Sequence, residues 1–218
     1  KYETNLKKIL RLVTTENNYI HFQKHMTHHM ISSIPIDWIT NGTNCFLIRH
    51  PKDVLLSYIK KNDLFDSNDL GFPAQLRLFN YIKEKNSRII VVNADDLSSK
   101  PKKTLKMLCH EINIPFSNKM LSWPKGKRKS DGLWEKIWYD NVKSSTNFKK
   151  LIKEKSKIPS KYISIYDECL KIYNQINFYS LSNRHKLFSL TRPVLLNITV
   201  PSDNIPRTSP LLYLGGSM

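Results

Sequence analysis

The chain has 218 residues, 40% hydrophobic and 24% charged, the makeup of one globular domain with a proper core. No stretch approaches the roughly 18 consecutive apolar residues of a helical membrane span, and three scattered cysteines (Cys45, Cys109, Cys169) without a Cys-x-x-Cys pair argue against a disulfide framework or a cysteine zinc site. The net charge of +17 points to an anionic partner: nucleic acid, an acidic membrane, or a phosphorylated small molecule.

Short apolar strands alternate with longer helical stretches along the chain, the pattern of an α/β sheet. Tyr19-Ile20-His21-Phe22 reads as a first short strand. Asn44-Cys45-Phe46-Leu47-Ile48 is a second, and Pro51 opens a helix to about residue 62 whose Val54, Leu55, Tyr58 and Ile59 form an apolar stripe. A further helix is expected over 72–85. Arg88-Ile89-Ile90-Val91-Val92 is a third strand, β-branched as suits one covered on both faces. Pro101 starts a helix reaching Ile112, and residues 160–174 form the last amphipathic one. The lysines of 149–161 are read as the solvated face of a helix-like segment. From about residue 181 four prolines, several Asn and Ser, and the closing Gly215-Gly216 predict an irregular tail over 181–218, leaving 1–180 as the domain.

One segment concentrates the chemistry. In Phe46-Leu47-Ile48-Arg49-His50-Pro51-Lys52-Asp53 a buried strand delivers an Arg to its carboxyl edge, where ligands of open α/β sheets gather. Arg49 offers a rigid fork of donors beside a helix N-terminus that favours anions. Ser57, two turns on, is placed to add a hydroxyl. The plainer alternative is an Arg paired with a neighbouring carboxylate and a Ser facing solvent.

This strand-Arg-x-Pro-Lys-Asp-x-x-x-Ser-Tyr arrangement resembles the 3′-phosphate-binding segment of sulfotransferases, cytosolic and bacterial. Val92-Asn93-Ala94-Asp95-Asp96-Leu97 with Lys100-Pro101, and Met120-Leu121-Ser122-Trp123-Pro124-Lys125-Gly126 with Asp131-Gly132-Leu133-Trp134 and Trp138-Tyr139, continue the resemblance in order, over roughly 19–139. It implies a parallel-sheet, P-loop-like, three-layer α/β fold. It also implies transfer of a sulfuryl group from 3′-phosphoadenosine-5′-phosphosulfate to a small hydroxyl or amine acceptor, without a metal, in the cytoplasm. Arg49 and Ser57 match the family's 3′-phosphate ligands. Lys125, Gly126, Lys127 and Arg128 stand where a basic loop closes over that phosphate, with backbone N–H groups near Gly126 as an anion nest. Trp123, Trp134 and Trp138 are read either as flanking an adenine or as core.

Sulfuryl transfer needs a base for the acceptor proton and a cation on the leaving phosphate. In the family a Lys and then a His serve. Lys24 matches the Lys. For the base, His25, His28 and His29 compete, and His28 is favoured because the most similar relatives place a pair of histidines at 28 and 29. Were the segment helical, His21, His25 and either His28 or His29 would share one face as metal ligands, but it reads better as strand, no carboxylate or Cys accompanies them, and no metal is expected. The family's glycine-rich 5′-phosphosulfate loop is absent, since no Gly opens a Gly-x-x-x-x-Gly-Lys run. With no initiator Met, the fold is expected to be N-terminally truncated, and the loss of its central strand to leave apolar edges exposed. The competing reading is a basic α/β module that binds nucleic acid or acidic polysaccharide without catalysis. It leaves a strand-end Arg with an ordered Ser unexplained, so nucleic acid is not the expected partner.

Overall fold

A computed structural model describes residues 3, 5–15, 20–27, 30–128, 140–151, 153, 155–184 and 212–216. The chain forms two compact units, residues 1–93 with 154–218, and residues 94–153. Among the described residues no helix is long and apolar enough to cross a membrane.

The first unit is built on a four-stranded sheet. Its strands are β1 (Phe22–His25), β2 (Thr43–Ile48), β3 (Ile89–Asn93) and β4 (Leu212–Gly216), in the order β1-β4-β2-β3. Every pairing is parallel. β2 and β3 carry the continuous apolar runs that a strand covered on both faces requires: Cys45, Phe46, Ile48, Ile90, Val91 and Val92 are all buried.

β1 begins at Phe22, three residues after the expected start, and contains Lys24 and His25. Its parallel register runs from Phe22 opposite Leu212 to His25 opposite Gly215, whereas Ile20, at 55% exposure, lies outside that pairing. The larger surprise is β4. Part of the stretch expected to be an irregular tail pairs with β1 on one side and β2 on the other, so the edges expected to lie bare are covered. The apolar Leu211-Leu212-Tyr213-Leu214 run ending in Gly-Gly has the composition of a strand with a terminator.

Helices α1 (Leu6–Thr14), α2 (Pro51–Tyr58), α3 (Phe72–Glu84) and a long C-terminal helix (Ile163–Asn177) complete this unit. α1 was not foreseen; Asn5 caps it by accepting from the Lys8 N–H at 3.1 Å. α2 starts at Pro51 and is capped by the His50 ring, whose Nδ1 accepts from the Lys52 N–H at 3.3 Å. It stops at Tyr58, a turn short of expectation. Gly71, at φ +75°, makes the left-handed turn into α3 that a side chain would resist. Leu55 of α2, Phe79 and Ile82 of α3 and Cys169, Ile172 and Ile176 of the C-terminal helix join Phe46, Ile48 and Val91 in one buried cluster.

In the second unit the acidic turn expected after β3 is helical, as α4 (Ala94–Ser99). It is followed by α5 (Pro101–Glu111) and the single turn α6 (Asp140–Lys143), so the C-terminal helix of the first unit is α7. The helix-like reading of 149–161 is corrected. The described residues from 149 to 159 are irregular, and Pro159 precedes a 3-10 turn, Ser160–Tyr162, that leads into α7. Their lysines are nevertheless exposed, as a solvated surface requires.

Candidate functional site

The carboxyl ends of the parallel strands bring together the residues of the first unit that matter. β2 ends at Ile48, so Arg49 emerges at the sheet edge and α2 starts two residues later. The Arg49 guanidinium is half-buried. Its Nε is fully shielded from solvent and has no hydrogen-bond partner among the described residues. A buried N–H without a partner costs about 1–3 kcal/mol, more on a charged group, so the atom is either a strain or a site for an acceptor. The plainer carboxylate-paired alternative leaves this Nε unaccounted for. Ser57 lies on the exposed side of α2, accessible from solvent. Asp53, in the first turn of α2, is buried where a carboxylate is favoured by the helix dipole.

β1 ends beside this edge, separated from β2 by β4, which places Gly215 opposite His25 on one flank and opposite Phe46 on the other. Lys24 is exposed. Gln23 is buried on the opposite face of β1, with His25 half-buried on the same side as Gln23. The Gln23 amide Nε2 donates to the Val13 carbonyl of α1 at 2.8 Å, and its Oε1 lies 3.0 Å from His25 Nε2. The His25 ring meets Trp38 edge-on, with centroids 5.4 Å apart. Beyond His25 is a cavity of about 30 Å³ bordered by Thr27, Met30, Phe46 and Leu78. That is room for about one water, so it is no acceptor pocket.

His28, His29, Trp134 and Trp138 lie outside the described residues. The helix that a shared histidine face would need is not formed over Phe22–His25, which is strand. Gln23 escaped the sequence reading. Its alternation with His25 on a strand was the only signal available, and a strand placed at 19–22 concealed it.

In the second unit Lys125 and Lys127 are exposed, and Gly126 has φ +104°, a backbone that side chains resist. Of the backbone N–H groups expected to form a nest near Gly126, that of Gly126 itself donates to the Lys143 carbonyl at 2.9 Å. Trp123 is packed against Phe148, and its Nε1 donates to Ser145 Oγ at 3.3 Å, which is a structural role.

The sheet edge thus carries a shielded Arg49 Nε, without a partner among the described residues, beside a helix N-terminus on an α/β scaffold. The sulfotransferase domain family matches residues 2–161, and the chain belongs to that family. Two proteins of Arabidopsis thaliana are similar to it. Branched-chain-amino-acid aminotransferase-like protein 2 is 28% identical over 191 residues, covering 88% of this chain and 33% of that protein. Branched-chain-amino-acid aminotransferase-like protein 1 is 26% identical over 214 residues, covering 97% and 37%. The chain thus spans about a third of the length of these relatives. No solved structure matches.

Proposed function

We propose that this domain binds 3′-phosphoadenosine-5′-phosphosulfate and moves its sulfuryl group to a hydroxyl or amine acceptor. Arg49 and Ser57 hold the 3′-phosphate, and Lys24 stands on the leaving phosphate. Lys125, Lys127 and Arg128, on a loop bent at Gly126, are the second unit's candidate cations for a phosphate. The base comes from the histidines at 25, 28 and 29. The carrying observation is the buried Arg49 Nε just after β2, without a partner among the described residues, which an ionised phosphate oxygen would satisfy with a charge-assisted bond. The proposed chemistry needs no metal, only cations and a base. Three buried, unpaired cysteines suit a reducing, cytoplasmic setting. The aminotransferase-like names belong to proteins of which this chain spans about a third, and no chemistry is carried over from them.

Calorimetry with adenosine 3′,5′-bisphosphate and adenosine 5′-monophosphate tests the reading. The protein should prefer the bisphosphate. Arg49→Ala should weaken its binding by about 1.5–3 kcal/mol and remove the preference. An unchanged preference in Arg49→Ala rules out the assignment. The net charge of +17 supports one other reading, a basic module for nucleic acid or acidic polysaccharide. In that case affinity for a polyanion would fall steeply with salt and the bisphosphate would not saturate a site.

A further inference from the structure

The second unit contains a cavity of about 450 Å³, the size of a small-molecule site, and the proposed function leaves it unused. Lys100, Lys102 and Lys103 border it, at the start of α5. The buried Thr104 hydroxyl shares its hydrogen between the Asp96 and Lys100 carbonyls, each 3.1 Å away, and so fixes the turn from α4 into α5. Leu121, Asn147 and Phe148 also line the cavity. An antiparallel bridge joins Ser122 to Asn147, and the Trp123 N–H donates to the Thr146 carbonyl at 2.8 Å. Trp123 then meets the Phe148 ring edge-on, with centroids 5.2 Å apart. Backbone contacts thus anchor both parts of the lining.

The charge of this lining is uncompensated. No carboxylate borders the cavity, and none of Lys100, Lys102 and Lys103 forms an ion pair among the described residues. The first turn of α5 holds no acidic residue either, and cations are disfavoured at a helix N-terminus, so the helix gains nothing from these lysines. Beside the cations, half-buried Pro101, Leu121 and Phe148 give the cavity an apolar part, and the Asn147 amide can donate a hydrogen bond. We propose that the cavity binds a small ring compound carrying a sulfate or phosphate ester. The lysines attract the ester oxygens, while Phe148 and Leu121 take the ring. Every lining residue belongs to the second unit, so the proposal stands apart from the reading of Arg49 as a donor ligand.

Titration of the ¹⁵N-labelled 218-residue chain at constant ionic strength tests the site, with phenyl sulfate, phenyl phosphate, inorganic sulfate and inorganic phosphate as probes. The Lys102, Lys103 and Phe148 amide signals should shift together and saturate. At least one aryl ester should bind about tenfold more tightly than its inorganic ion, as burial of on the order of 60 Å² of ring surface supplies. The tighter of the two esters assigns the head group as sulfate or phosphate. Lys102→Gln combined with Lys103→Gln, both exposed, should weaken the ester about 3- to 30-fold. Phe148→Ala should reduce the aryl ester to the level of the inorganic ion. If that variant unfolds, Phe148→Leu decides, and should weaken the ester while leaving the ion unchanged. Arg49→Ala should bind all four probes as the parent chain does. Shifts that never saturate, equal affinity for esters and ions, or shifts spread over lysines away from the cavity would reveal an ordinary solvated basic surface and overturn the proposal. Loss of ester binding in Arg49→Ala overturns it too, because the ligand would then sit on the first unit.

Discussion

The Gly126 N–H donates to the Lys143 carbonyl at 2.9 Å, and this bond ties the basic loop to the end of α6. Gly126 sits at φ +104°, yet a Cβ built there meets nothing within 4 Å. Gly126→Ala therefore tests backbone strain without a steric clash. The expected cost is about 1–3 kcal/mol of stability, measured by chemical denaturation. A neutral substitution would show that the loop turns over without the left-handed bend.

In the proposed reading Ser57 is the lesser of the two 3′-phosphate ligands. Its hydroxyl is exposed and two turns into α2, so Ser57→Ala should leave the fold intact. Affinity for adenosine 3′,5′-bisphosphate should drop by about 0.5–1.5 kcal/mol, less than for Arg49→Ala. Calorimetry at fixed ionic strength reads the difference, and an equal or larger effect than Arg49→Ala would reverse their assigned weights.

Burial pushes the Cys45 and Cys169 thiols up to about 12, with the nearby Glu168 carboxylate adding to the shift at Cys169. In the unfolded chain a thiol titrates near its ordinary value. Between that value and about 12 the unfolded state has released a proton that the folded state retains, so stability falls as pH rises. The contribution is whole below about pH 8.5 and drains at about 1.4 kcal/mol per pH unit for each thiol above it. Urea midpoints between pH 7.5 and 10.5 should fall, and Cys169→Ala should flatten the decline. A midpoint that is constant or rises over that range contradicts the burial.

β4 covers one edge each of β1 and β2. Ending the chain at residue 205 removes it and exposes both rows of backbone donors and acceptors, the arrangement that invites intermolecular pairing. The truncated protein should self-associate at concentrations where the 218-residue chain does not, as light scattering would show. Identical behaviour of the two chains would mean that β4 is dispensable to the sheet.

Much of the site was legible in the sequence because its signals are local. A β-branched or apolar run followed by Arg-x-Pro fixes a strand, its carboxyl edge and a helix start within a dozen residues, and β2, Arg49 and α2 follow. Pro101 and the spacing of Leu105, Leu108, Cys109 and Ile112 likewise mark α5. Lys24 was found by motif alone, and its strand was placed three residues early because the apolar residues Ile20 and Phe22, both exposed here, outweighed Gln23. The lysine-rich stretch at 149–161 looked helical by composition, whereas Pro159 and the missing apolar stripe leave its described residues up to 159 irregular.

The sequence by itself determined the α/β class, the two strands with continuous apolar faces, and the place of Arg49 between β2 and α2, since each depends on neighbours a few positions apart. Only the tertiary structure decided that Gln23 would bridge Val13 and His25, and that Gly126 would give its N–H to Lys143. The same holds for the central place of a C-terminal strand between β1 and β2. These are meetings of residues distant along the chain. Which backbone or side-chain donor finds which acceptor there depends on how the elements pack, and hydrophobic periodicity carries no information about it.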